Sequence, residues 1–151
     1  MLPKWHILIG FLVTIILKLT TQFNDIELGL FFLSTFLIDF DHYLYYTLRK
    51  KDFSLENAYK WFIKKKKEYL GLSINERKKY KKALFIFHTI EFWILLAILF
   101  TYLKIFFFIL IGILLHIFID QIEIFFLKES PYFKVSLIIT LIKNKNKKEF
   151  Y

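Results

Sequence analysis

The sequence predicts an all-α integral membrane protein: a bundle of four transmembrane helices, a basic cytoplasmic helical loop and a short C-terminal interfacial helix. Composition is the first reason, because 57% hydrophobic and 21% aromatic residues in 151 exceed what a soluble domain carries. The second is four apolar runs of bilayer-spanning size, expected at about 5–20, 27–48, 83–103 and 105–127. Nothing alternates like barrel strands, and spanning backbone must satisfy its own hydrogen bonds, so the spans are helices. The third is charge, which concentrates in a loop at 49–82 and a tail at 128–151, leaving one membrane domain over 1–151. The absence of cysteine excludes disulfides, thiolate metal sites and iron–sulfur clusters.

The first run, Trp5 to Leu19, follows Lys4 and has the look of a signal-peptide core, but Thr20, Thr21, Gln22 and Phe23 offer no small-x-small cleavage site. It reads as a retained span. His6, Gly10 and Thr14 recur at i, i+4, i+8, a narrow small or polar stripe that should face the other helices. In the second span Thr35, Asp39, His42 and Tyr46 share one polar face, while Asp41 points about 100° away from His42 on an ideal helix. Asp41 therefore reaches a second metal, holds a ligand, or joins the others through a local distortion.

Between Arg49 and Lys82 thirteen Lys or Arg face four acids, which assigns this loop to the cytoplasm by the positive-inside rule. Ser54 is placed to cap a helix ending near Gly71, and Ser73 with Glu76 reads as a capping box for a helix leading into the next span. Tyr59, Trp61, Phe62 and Ile63 beside Lys64 to Lys67 fit an amphipathic segment on anionic inner-leaflet lipids. A charged loop that merely fixes topology is the plainer alternative, and nucleic acid is the less favoured partner.

Ala83 to Leu127 is twice the length one span needs and should fold as a hairpin turning near Lys104. His88 and Glu91 share a face at i, i+3; Gly112, His116, Asp120 and Glu123 form a stripe on the fourth span. Tyr132 to Ile142 is too short to span and reads as an interfacial helix before a basic tail.

A cytoplasmic loop and tail require both termini inside the cytoplasmic membrane. His6, Asp39, Asp41, His42, His88, Glu91, His116 and Asp120 then share the cytoplasmic half of the bilayer. Ionisable groups at such depth are costly and mark function. Imidazole with carboxylate is the donor set for a divalent ion, zinc foremost, manganese or iron as alternatives. Isolated His–acid hydrogen bonds and a bis-histidine haem are the competing readings. Glu91 and Asp120, each one turn from a ligand histidine, are placed as catalytic carboxylates. An ester or phosphoester with an anionic head and an apolar tail fits a site below a basic loop. The rival is a non-enzymatic metal-binding protein, structural or for ion transport. Leu95 to Phe100 and Ile105 to Ile111 speak against an ion path, being uninterrupted apolar.

At His6, Asp39-Phe-Asp41-His42, His88-Thr-Ile-Glu91 and His116-Ile-Phe-Ile-Asp120 the chain resembles the LexA-regulated, membrane-bound metal-dependent hydrolase family. Leu37-Ile38 stands where that family has Leu-Pro, and the third motif carries one His and a Glu where many relatives have two His. The resemblance implies a small helical membrane protein, ligands at these positions, and a hydrolase.

Overall fold

The computed structural model describes residues 3–126 and 136–150. Among the described residues the chain is all helical, with one isolated β-bridge. In order the elements are α1 (Pro3–Thr20), α2 (Asp25–Leu37), α3 (Phe40–Lys50), α4 (Leu55–Gly71) and α5 (Ile74–Arg77). They continue with a 3-10 turn (Ile86–His88), α6 (Ile90–Phe100), α7 (Ile105–Phe126) and α8 (Leu137–Asn144).

Local chemistry sets the starts. Asn24 and Glu27 form a reciprocal capping box on α2, Ser73 and Glu76 do the same for α5, and the Ser54 and Ser136 hydroxyls accept from the first turns of α4 and α8. Lys51 closes α3 in the left-handed region at φ 53°. α7 is the central element, packed most extensively on α2 and also on α6 and α1. Two glycines allow the close approach: a Cβ on Gly112 would lie 3.2 Å from Ser34 Cβ and collide with the Phe31 carbonyl, and one on Gly10 would lie 3.0 Å from Thr35 Cβ.

Polar groups share the interior with apolar ones such as Leu28, Phe31, Leu96 and Phe108. His6, Thr35 and His116 are fully buried, with Ser34, Asp41, His88 and Asp120 nearly so. Outward stand Ile7, Phe11 and Ile16 of α1, Ile94 and Ile98 of α6, and Phe118 and Ile122 of α7. α1 and α7 are each long and apolar enough to cross a membrane; α6 is apolar but only eleven residues.

Three expected elements differ from the sequence reading. The second span is not one helix: at Ile38 and Asp39 the bonds Asp39 N–H to Phe36 O and His42 N–H to Asp39 O have i to i+3 spacing, a tightened turn that separates α2 from α3. The third, expected over 83–103, is helical only from Ile90, because the Trp93 indole donates to the Phe87 carbonyl and the backbone before it runs through a 3-10 turn. The helix capped by Ser73 stops at Arg77 rather than running into that span. Lys79 to Lys81 instead pair with Lys148 through backbone hydrogen bonds.

The loop and tail fold onto each other. Asp52 fixes the α3–α4 corner, accepting from the Tyr46 hydroxyl at 2.5 Å, the Ser54 amide and the Asn57 side chain, and the tyrosine foremost holds its carboxyl below the usual range. Trp61 and Phe62 turn inward, against Tyr46 and His42, leaving Tyr59 and Ile63 as exposed apolar groups of α4. Asn144 bonds both backbone groups of Lys82, and Glu149 pairs with Arg49 and Lys81. Tyr132 to Val135, the first part of the expected interfacial segment, and the start of the basic tail lie outside the described residues.

Candidate metal centre

Four elements deliver the donors. His6 enters from the first turns of α1, Asp39, Asp41 and His42 from the α2–α3 break, His88 from the 3-10 turn, and His116 and Asp120 from successive turns of α7. The break matters most. On a straight helix Asp41 would face away from His42, whereas here Asp41 Oδ1 lies 2.9 Å from His42 Nδ1 and Oδ2 lies 3.0 Å from His88 Nδ1. The Phe87 amide also donates to Oδ2, so Asp41 spends its oxygens orienting two imidazoles.

Asp39 Oδ1 is the hub. It lies 3.4 Å from His42 Nδ1, 3.5 Å from His88 Nε2 and 3.6 Å from His116 Nε2. His88 Nε2 and His116 Nε2 face each other at 3.2 Å. Bonds of about 2.0–2.1 Å to one tetrahedral ion set neighbouring donors about 3.3–3.4 Å apart, and these separations straddle that value.

The tautomers are constrained by what each partner can accept. His116 Nδ1 lies 2.8 Å from the Thr35 carbonyl, which only accepts, so Nδ1 carries the proton and donates. The same reasoning makes His88 Nδ1 the donor to the Asp41 carboxylate. With neutral rings, two lone pairs then meet at Nε2, an arrangement that calls for a cation between or beside them. His6 adds a second demand: it is fully buried, stacked on His116 with ring centroids 3.8 Å apart, and neither ring nitrogen has a hydrogen-bond partner. Its Nε2 stops 3.5 Å from Asp120 Oδ1. Among the described residues three groups have donor atoms close enough together to hold a metal ion: His6, Asp39 and His116; Asp39, His42 and His88; His88, His116 and Asp120.

Seven of the eight expected site residues come together, and Glu91 does not. Its carboxylate accepts from the Ser136 hydroxyl at 2.7 Å and from the Leu137 and Ile138 amides, so it caps the N-terminus of α8. The physical reason is the break at Thr89, whose extended backbone separates His88 from α6 and destroys the i, i+3 face assumed for the pair. Glu123, on the same stripe of α7, pairs with Lys66 at 2.7 Å.

Sequence reasoning missed two contributors. The Thr35 residue lies on the expected polar face, but its role is a backbone carbonyl, which no side-chain pattern announces. Phe85, stacked on His42 at 3.7 Å, comes from irregular backbone with no periodicity to flag it. Beside His42 and Asp39 a cavity of about 350 Å³ opens between α3 and α4, walled by Tyr43, Tyr59, Phe62 and Phe85 and reaching Lys66.

Comparison with family models, with curated proteins and with solved structures finds no match.

Proposed function

We propose that the chain is an integral membrane protein of four spans, formed by α1, α2 with α3, the segment carrying α6, and α7, with both termini and the 49–82 loop cytoplasmic. Its polar interior is a divalent-metal centre and its activity is that of a hydrolase. The apolar outer faces of α1, α6 and α7 support the membrane placement, and the burial of His6 against His116 packs α1 into the bundle. One observation carries the metal reading: His88 Nε2 and His116 Nε2 face each other at 3.2 Å with Asp39 Oδ1 3.5–3.6 Å from both, each outer nitrogen being tied to an acceptor. Zinc is the foremost ion for such a nitrogen and oxygen set.

An ion held there supplies Lewis-acid chemistry for cleaving an ester or phosphoester. The chain supplies the rest. Asp41 and the Thr35 carbonyl fix the rings, Asp120 is the one of the two expected catalytic carboxylates that stays beside the histidines, and the aromatic cavity at His42 accepts an apolar tail while Lys66 favours an anionic head. The resemblance in motif order supports the same class. Ion transport is the weaker alternative, since the α7 stretch from Ile105 to Ile111 offers no polar group beyond the site.

Protein purified in detergent should contain divalent metal. Elemental analysis of His116→Ala should find occupancy sharply reduced, and Asp41→Asn, which keeps the shape and loses the charge, should bind about 10- to 100-fold more weakly. Reconstituted protein incubated with total lipid extract should release products that vanish with chelator and return with metal, followed by mass spectrometry. Absence of metal in the wild type sinks the whole reading; metal without turnover of any extract component sinks the hydrolase.

A further inference from the structure

Counting donors against what one ion takes goes a step beyond a metal centre. Asp41 is committed to His42, His88 and the Phe87 amide. Six side chains remain: His6, Asp39, His42, His88, His116 and Asp120. Around Asp39 Oδ1 the tightest set is Asp39, His88 and His116, with their facing atoms 3.2–3.6 Å apart and the His42 ring alongside. That leaves His6, fully buried and with neither nitrogen partnered, aimed at Asp120 across 3.5 Å. An ion held by that set alone leaves the most anomalous side chain in the interior without a role.

Sharing the donors removes the anomaly. His42 and His88 fall in one possible group with Asp39, His6 and His116 fall in another with Asp39, and His88, His116 and Asp120 form a third. Asp39 is the common member of the first two. The two sides also differ in access: Asp39 and His42 line the cavity, with side chains 19% and 30% exposed, whereas none of His6, His116 and Asp120 lines it.

We infer that the centre holds two divalent ions bridged by Asp39, an outer one on His42 and His88 that exchanges through the cavity, and an inner one on His6, His116 and Asp120 that is sealed in the bundle. This rests on the metal-centre reading above and adds number, bridging and unequal exchange to it. It also makes Asp120 a ligand rather than a base.

The test uses the full chain in detergent. Elemental analysis after loading with zinc should give two ions per chain, and a chelator should remove them in two phases, one fast and one slow. Loaded with manganese instead, the protein should show the paramagnetic resonance spectrum of an exchange-coupled pair, a readout that needs no variant. His42→Ala should keep one ion, the slowly released one; His6→Ala should keep one, the rapidly released one. One ion per chain in the wild type overturns the inference and leaves the metal centre standing. Two ions that leave at a single rate without magnetic coupling overturn the shared Asp39, and no ion at all overturns both readings.

Discussion

Gly112 and Gly29 share a residue type and differ in surroundings. A methyl at Gly112 meets the Ser34 side chain and the Phe31 carbonyl, one of them backbone that cannot rotate away, so Gly112→Ala should push α7 from α2 and cost about 1–3 kcal/mol, as overpacking does. At Gly29 nothing lies within 4 Å, and there Ala should raise stability by about 0.5–1 kcal/mol through helix propensity alone. Thermal unfolding of the two variants in one detergent checks the opposite signs. At this scale the sequence was informative where spacing and residue type coincide. His6 with Gly10, and Gly112 with His116 and Asp120, lie on the buried stripes their periodicity assigns. Asp41 and Glu91 could not be placed the same way, because each depends on a bend in the backbone rather than on its neighbours in sequence.

Helix ends were legible and helix interruptions were not. The caps at Ser54 and Ser73 are local chemistry, readable from side chains that can accept an amide hydrogen within one turn, whereas the box at Asn24 and Glu27 went unread. The break at Ile38 and Asp39 and the 3-10 turn before α6 have no Pro or Gly beside them, and depend on contacts from other elements, such as the Trp93 indole on the Phe87 carbonyl. Glu91 illustrates the cost of missing them. As an anion at the start of α8 it holds that helix to α6, and Glu91→Gln should loosen it by about 1–2 kcal/mol while leaving metal content unchanged. Faster hydrogen exchange confined to the amides of residues 137–144 would confirm this; loss of metal would return Glu91 to the site.

For the whole molecule, long apolar runs with no strand-like alternation made the all-α class legible, and the described residues are helical. The proposed orientation rests on charge. Single cysteines at Lys65 and Asn146 should be shielded from an impermeant thiol reagent outside intact cells, and one at Tyr102, in the turn between α6 and α7, should react. Labelling at Lys65 or Asn146 would reverse the topology.

Under the proposed membrane placement the brevity of α6 bears on the surrounding lipid. Eleven residues give about 16 Å of helix, while the twenty-two of α7 give about 33 Å beside it, against a hydrocarbon core of about 30 Å. In a bilayer the two flanks of the bundle are thus mismatched, and on the α6 side the leaflet must dip or the polar backbone of 81–85 be drawn below the headgroups, at fractions of a kcal/mol per ångström. A dimple of thinned membrane on one flank would bring headgroup ester bonds down to the level of the buried histidines.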